Sequence, residues 1–338
     1  MKMFEGNSSG RDLSRVTTGA LFALVISLGM VSMSVSGQSV LSGHATVAQR
    51  ASAQPLEAGQ QRFSSAAEAS DALFIALQND DEPSLLRVLG ADAKNIISSG
   101  DDAEDAEHKA QFVQKYRQLH RMVTESDGLT TLYIGAENWP SPIPLVHKGD
   151  SWYFDTVAAK NEILYRRVGE NELTVIKVCN ELVDAQKEYN SELHDGSPDR
   201  QYAQKILSDQ DKHNGLYWKP ASGEAVSPLG PLVASAEHEG YTEIASQKPA
   251  PFHGYFFRVL KGQGAHASGG SQSYIANGKM TRGFAFVAYP AEYRSSGVMT
   301  FLVSQDGIVY EKDLGRNTGE IVKSLVRYDR NASWRKAD

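Results

Sequence analysis

What this sequence has least of is cysteine, because Cys179 is alone among 338 residues. One cysteine excludes an internal disulfide and any sulfur-rich zinc site. Positive charge is also in the minority, since 41 Asp and Glu outnumber 34 Lys and Arg, for a net charge of −7. Binding to duplex nucleic acid needs a basic surface, so we expect no nucleic-acid partner.

Motifs of several common chemistries are missing as well. The nine histidines are scattered, and the sequence has neither a His-Glu-x-x-His pair nor an EF-hand loop. Residues 262–267 match a loose dinucleotide fingerprint, but further loop residues follow where a helix must begin. Residues 278–280, Gly-Lys-Met, lack the Ser or Thr of a P-loop. We therefore assign no cofactor, no metal ligand and no catalytic residue from the sequence.

The N-terminal segment has the order of a secretory signal peptide. Basic Lys2, Arg11 and Arg15 precede an apolar stretch, residues 20–33, and small residues follow. This order predicts a leader over residues 1–37, cleaved after Gly37. The alternative is an uncleaved membrane anchor. A helix that spans a membrane needs roughly 20 apolar residues, and the stretch over residues 20–33 is shorter than that. No cysteine follows the stretch, so we predict a periplasmic or secreted protein that is not a lipoprotein and has no membrane span after cleavage.

The rest of the sequence predicts an α+β protein in two domains. Residues 38–62 are rich in Ser, Ala, Gln and Gly, which predicts a flexible linker. Residues 63–157 predict helices over a small curved antiparallel sheet. Residues 158–338 predict a long helix packed on an antiparallel meander.

Local patterns predict where individual elements begin and turn. Ser65 and Glu68 have the spacing of a capping box before the first helix. Asn277-Gly278 is the residue pair typical of a two-residue hairpin turn.

Helical spacing makes further predictions. It favours a third helix over residues 103–124, a helix end at Gly169 and a short helix over residues 202–207. Cys179 shares an apolar stripe of the long helix over residues 171–193, which indicates a buried thiol rather than a nucleophile.

The two halves of the chain resemble known folds. Residues 62–157 resemble the cone of the nuclear-transport-factor-two superfamily, notably in Gly-Asp-Ser-Trp-Tyr-Phe-Asp at 149–155. That resemblance implies a pocket between helices and a curved sheet. The C-terminal part resembles the globular domain of type IV pilins, carried by residues 254–260, 288–293 and 301–310. Pilins have an apolar N-terminal helix, whereas this helix is internal and amphipathic, so a filament subunit is not expected.

Over about residues 62–338 the chain resembles an uncharacterised secreted bacterial family, catalogued as domain of unknown function 2950. The resemblance implies an envelope or secreted protein and supplies no activity. The runs that carry it are residues 95–101, 135–140, 142–146, 215–218, 227–232 and 297–301.

Six residues are candidates for ligand contacts. His120, placed on the third helix, is a candidate general base in a cone pocket, or alternatively a packed or rim histidine. Trp139, Tyr217 and Trp218 lie beside Pro and Gly, which favours binding platforms or equally a sealed domain interface. The other two candidates, His253 and Tyr255, adjoin Gly254, and for His253 the alternative is a turn at a domain seam.

Glu292 and Arg294, beside Tyr293, indicate a solvated loop rather than a site.

Three functions follow, in order of preference. The first is a non-enzymatic envelope protein that binds a partner protein, glycan or small ligand. The second is a pocket enzyme of the hydrolase, isomerase or lyase type that uses His120 or an acidic partner. The third is an accessory to a pilus-like secretion apparatus. The oligomeric state is not predicted.

Overall fold

The computed structural model describes residues 59–194, 196–239, 241 and 250–337. All of these belong to one compact unit, Ala51–Asp338. The expected leader, its cleavage position and most of the expected linker lie outside the described residues. Within the described ranges, no helix is long and apolar enough to cross a membrane.

The described chain is an α+β protein, as the sequence predicts. A short 3-10 turn, Ala91–Ala93, separates α2 from α3. The helices are α1 (Ala66–Gln78), α2 (Glu82–Leu89), α3 (Lys94–Ile97), α4 (Asp102–Gln118), α5 (Thr156–Ser191), α6 (Gly230–His238) and α7 (Thr318–Ser324). The strands are β1 (His120–Thr124), β2 (Thr130–Ile134), β3 (Trp139–Pro140), β4 (Leu145–Lys148), β5 (Ser151–Phe154), β6 (Tyr255–Leu260), β7 (Gly262–Gln263), β8 (Gln272–Ser273), β9 (Ile275–Ala276), β10 (Lys279–Met280), β11 (Ala285–Pro290), β12 (Met299–Ser304), β13 (Val309–Asp313) and β14 (Arg335–Lys336).

Two five-stranded sheets carry the architecture, and every pairing in them is antiparallel. The first sheet has the order β1-β2-β4-β5, with β3 also paired to β2. The second, here called the main sheet, has the order β14-β13-β12-β11-β6. A long helix, α5, precedes this meander, which confirms the predicted helix-then-meander order.

The local signals at Ser65 and Asn277 are confirmed. The Oγ of Ser65 accepts the Glu68 N–H at 3.1 Å, and Glu68 accepts the Ser64 N–H at 2.8 Å. Asn277 and Gly278 have φ values of 52° and 77° and connect β9 to β10. Both residues have the left-handed backbone conformation that a type I′ hairpin turn requires.

The predicted helix over residues 103–124 was wrong at its C-terminal end. Helix α4 ends at Gln118, and Leu119 is extended, with φ −162° and ψ 136°. The next residues form β1, in which Met122 lies opposite Leu132 of β2. Pairing with β2 provides hydrogen-bond partners for the backbone of this segment. The segment therefore forms a strand, although the spacing of its apolar residues predicts a helix.

Helix α5 continues through Gly169, where the sequence predicts an end. A Cβ at Gly169 would meet nothing within 4 Å. Glycine costs about 1 kcal/mol inside a helix, and burial on both sides of it offsets that cost. Ala159 lies in the core beneath α1 and α2, and Val175 and Leu182 lie in the core of the main sheet.

The predicted helix over residues 202–207 was also wrong. Tyr202 and Leu207 form single β-bridges with Met280 and Tyr217. These bridges hold the segment extended beside the main sheet. The prediction of a buried thiol is confirmed, because Cys179 is 1% exposed and its burial raises the pKa of the thiol to about 12.

Helices cover both faces of the main sheet. On one face, the Tyr255 hydroxyl lies 3.4 Å from Oε1 of Glu172 on α5. On the other face, Arg258 donates to the carbonyls of Val322 and Leu325 at 2.5 and 2.8 Å, at the end of α7. The main sheet therefore lies between α5 and α7.

Candidate functional site

His120 and Trp139 flank the same residue of the first sheet. Ile134 of β2 pairs with His120 on one side and with Trp139 on the other. His120 is exposed, its ring stacks on Tyr116 at 3.9 Å, and its Nδ1 lies 2.9 Å from the Tyr116 carbonyl oxygen. Trp139 is half-buried against the small cluster that contains Leu132 and Ile134. His120 thus occupies a rim position at a strand end rather than a helix face.

Tyr217 and Trp218 are half-buried against the core of the main sheet. The Tyr217 N–H donates to the Ile206 carbonyl at 2.9 Å. The Trp218 ring stacks on His213 at 4.4 Å and lies 5.7 Å from His194. Its buried indole Nε1 finds no hydrogen-bond partner in the described part of the chain.

His253 and Tyr255 lie on either side of a tight turn before β6. His253 has a φ of 48°, and its Nε2 lies 3.2 Å from Oε2 of Glu239. Burial lowers the pKa of His253, and the Glu239 carboxylate opposes this shift. Tyr255 is fully buried, and its hydroxyl donates to the Met299 carbonyl at 2.9 Å.

His253 belongs to a network around three buried carboxyl groups of α4 and its cap, Asp101, Glu104 and Asp105, here called the carboxyl cluster. Asp101 is 1% exposed, and its Oδ2 accepts the Gly254 N–H at 2.8 Å and the Tyr241 hydroxyl at 3.2 Å. The Tyr241 hydroxyl in turn accepts the His253 N–H at 3.1 Å.

Glu104 differs from the two aspartates of the carboxyl cluster. Asp101 Oδ1 caps α4 through the Glu104 N–H at 3.2 Å, and Asp105 accepts the Ser99 N–H at 2.8 Å. Glu104 Oε2 is buried and has no hydrogen-bond partner among the residues that the structure describes. Burial, reinforced by the charge of Asp101, raises the pKa of Glu104 to about 8. Two of the carboxylates therefore hold backbone together, while the third is a protonated acid at neutral pH.

Arg167, a cation, and His108, an imidazole, border the carboxyl cluster. Arg167 donates to the Asn95 carbonyl at 3.0 Å and to the Ile96 carbonyl. Burial lowers the pKa of His108 to about 4, and the charge of Arg167 adds to this shift. Among the described residues, no group of three or more His, Cys, Asp or Glu side chains could hold a metal ion.

A cleft of about 610 Å³ opens between the main sheet and α7, and we call it the arginine cleft. Phe256 of β6 and Tyr289 of β11 lie opposite each other in the sheet, with ring centroids 5.6 Å apart. The charged and aromatic residues that line it are Phe256, Tyr289, Glu292, Tyr293, Arg294, Arg316 and Lys323.

The loop between β11 and β12 fixes one wall of the arginine cleft. Ser296 Oγ accepts the Glu292 N–H at 3.0 Å, and the Arg294 N–H donates to the Gly297 carbonyl at 2.7 Å. Arg294 has a φ of 67°, a left-handed conformation that is strained for a residue with a Cβ. The loop thus holds the Arg294 backbone in a strained conformation through defined bonds.

The arginine cleft carries positive charge that the described residues leave unpaired. Lys323 pairs with Glu320 at 2.6 Å, but neither Arg294 nor Arg316 forms an ion pair with a carboxylate in the described part of the chain. Arg294 lies 5.5 Å from the centroid of the Tyr293 ring. Two guanidinium groups in a cleft that aromatic rings also line are suited to bind an anion.

The carboxyl cluster and the arginine cleft share backbone connections. The Gly254 N–H bonds to Asp101, and the Gly254 carbonyl accepts the Ala291 N–H at 2.9 Å. Asn171 of α5 donates to the Ser296 carbonyl at 3.0 Å. The buried side chains of Asp101 and Asn171 therefore hold the two ends of the loop that carries Arg294. Asp101 acts through the backbone of Gly254, and Asn171 acts through the Ser296 carbonyl.

Sequence reasoning missed the arginine cleft. From the sequence, Glu292 and Arg294 beside Tyr293 were interpreted as a solvated loop rather than a site. Arg316 and Lys323 come from the α7 region, which has no sequence signal linking it to that run. The available signal was the pairing of aromatic and cationic residues near a strand end.

The fold and the cleft define an α+β protein with a cationic, partly aromatic cleft beside its main sheet. The family described as "Protein of unknown function (DUF2950)" matches residues 60–337, and the chain belongs to this family. No curated protein and no solved structure matches the chain significantly. The resemblances to pilins and to the nuclear-transport-factor-two cone therefore stay predictions.

Proposed function

We propose that this protein is an exported, non-enzymatic binding module whose arginine cleft holds an acidic saccharide. One observation carries the proposal. Arg294 and Arg316, which have no carboxylate partner among the described residues, share a cleft of about 610 Å³ with aromatic rings.

The chemistry of the cleft suits a carboxylated sugar. A guanidinium group binds a carboxylate through two parallel hydrogen bonds. The faces of Phe256 and Tyr289 offer apolar area to the C–H face of a sugar ring. A volume of about 610 Å³ is in the range of small-molecule sites.

The proposed export rests on the N-terminal sequence. The basic, apolar and small-residue order of residues 1–37 supports it, and the family match begins only at residue 60. N-terminal sequencing of the protein from fractionated cells tests the proposal. We expect Gln38 as the first residue in the periplasm or medium, whereas an intact N-terminus in the cytoplasm or membrane would contradict export.

Calorimetric titration tests the saccharide. The probe is a short galacturonate oligosaccharide, and the control is a neutral glucose oligosaccharide of equal length. We expect binding of the acidic probe alone. The variants Arg294→Gln and Arg316→Gln should each weaken it at least about tenfold, while Arg166→Gln, at a partly exposed position of α5 outside the cleft, should leave it unchanged. Equal binding of both probes would reject the proposal.

A further inference from the structure

We infer that the free edge of β6 is a second binding site, at which an extended acidic segment of a partner protein pairs as a sixth strand of the main sheet. This site is separate from the arginine cleft. Strand addition of this kind uses backbone hydrogen bonds for affinity and alternate side chains for specificity.

The register shows which backbone groups of β6 point outward. Strand β6 ends the main sheet and pairs only with β11 among the described strands. Tyr255 exchanges both backbone bonds with Phe252, at 3.2 and 2.8 Å, so its N–H and C=O point away from β11. In an antiparallel ladder every second residue points the same way. Phe257 and Val259 therefore also direct their N–H and C=O groups to the outer edge.

These outward groups border open space. No backbone bond from the described chain reaches Phe257 or Val259 on the outer edge. A cleft of about 430 Å³ lies there, with Ile206 and Val326 among its other lining residues. The Ile206 carbonyl already accepts the Tyr217 N–H at 2.9 Å, so this wall is paired elsewhere and leaves the β6 edge open.

The charge at this edge selects the partner. Within the described residues, Arg258 bonds only to neutral carbonyls, those of Val322 and Leu325, and its positive charge is not neutralised by them. Lys261, at the end of the cleft, is exposed and forms no ion pair with a described carboxylate. Pairing of two β6 edges from two copies would bring these cations together, which is unfavourable. An acidic strand at this edge would instead be attracted by the positive charges of Arg258 and Lys261.

The apolar residues of the cleft select the pattern of the partner. Phe257 and Val259 are half-buried and, with Ile206 and Val326, line the space next to the edge. A strand with apolar residues at alternate positions places them against this surface and its acidic residues toward solvent and the cations. The partner segment is therefore an alternating acidic and apolar stretch.

Fluorescence anisotropy of the full mature chain tests this site. The probe is a labelled peptide of alternating Glu and Val, compared with a Lys and Val peptide and with a Glu and Val peptide N-methylated at alternate amides. We expect binding of the first peptide only, with at least about tenfold loss on N-methylation. Equal binding of the N-methylated or the Lys peptide would overturn strand pairing or charge selection.

Variants locate the binding. Lys261→Glu should weaken the binding of the Glu and Val peptide at least about fivefold. Lys177→Glu, at an exposed position of α5, should leave this binding unchanged. Arg294→Gln should also leave peptide binding unchanged, since it lies in the arginine cleft. Loss in Arg294→Gln with full binding in Lys261→Glu would overturn the proposal. So would concentration-dependent dimerisation of the mature chain that Lys261→Glu abolishes.

Discussion

The Gly254 N–H donates to Oδ2 of Asp101 at 2.8 Å, across 153 positions of the sequence. This bond ties the turn before β6 to the N-terminus of α4. The carbonyl of the same Gly254 accepts the Ala291 N–H, at the start of the loop that carries Arg294. The turn at Gly254 is therefore bonded both to the carboxyl cluster and to the loop of the arginine cleft. The stability of the protein and the shape of its cleft therefore depend on the same buried carboxylate.

Removal of this carboxylate should be costly. In Asp101→Ala, the N–H groups of Glu104 and Gly254 and the Tyr241 hydroxyl lose their acceptor. We expect the free energy of unfolding to fall by about 3 kcal/mol, measured by urea denaturation. The neighbouring Asp102 is exposed, so Asp102→Ala should cost far less. Equal losses in the two variants would contradict the role of Asp101.

Glu104 should make stability fall as pH rises. Its pKa is raised to about 8 by burial, above the ordinary value of 4.5. Between these values the unfolded chain loses the proton and the folded chain keeps it, so the free energy of unfolding decreases with pH. From pH 6.5 to 8 the loss should be about 2 kcal/mol. Glu104→Gln should remove it.

The control for this pH dependence is Glu107→Gln, at an exposed position of the same helix. It should keep the wild-type slope in urea denaturation from pH 6.5 to 8. Below pH 6.5 His108 acts in the opposite direction, because its pKa is lowered to about 4 and the unfolded chain binds the extra proton. An unchanged slope in Glu104→Gln would contradict the assignment.

Arg294 should separate stability from binding. Its φ of 67° is strained for arginine and free for glycine. Arg294→Gly should therefore not lower the melting temperature, yet it should abolish binding of the acidic saccharide. Arg166→Gly makes the same change inside α5, where glycine costs about 1 kcal/mol. That control should lower the melting temperature and keep binding.

Gly297 should tolerate no side chain. A Cβ there would lie 2.1 Å from the Tyr255 hydroxyl oxygen, and Tyr255 is fully buried. Gly297→Ala should lower the free energy of unfolding by about 2 kcal/mol. At Gly319, in α7, a Cβ would meet nothing within 4 Å, so Gly319→Ala should be neutral or stabilising. Thermal unfolding of the two variants distinguishes them.

The sequence predicts well where short-range chemistry decides. Asn277 and Gly278 specify their turn by backbone conformation, and Ser65 specifies its helix start by one hydrogen bond. Each of these signals involves residues within a few positions of one another.

Prediction failed where distant contacts decide. Residues 120–124 are a strand only because β2 pairs with them, and α5 passes Gly169 because cores on both sides hold it. Arg294 and Arg316 meet in one cleft because α7 packs on the main sheet. His253, suggested by its place beside Gly254, did reach a buried network, but its partners Tyr241 and Glu239 had no sequence signal.

The most direct test of the proposed binding function is nuclear magnetic resonance of the arginine side chains. The Nε–Hε signals of the mature chain are followed during titration with a galacturonate oligosaccharide. We expect saturable shifts of Arg294 and Arg316, and none of Arg166. Signals of Arg294 and Arg316 that stay fixed, or that move no more than that of Arg166, would contradict a saccharide site in the arginine cleft.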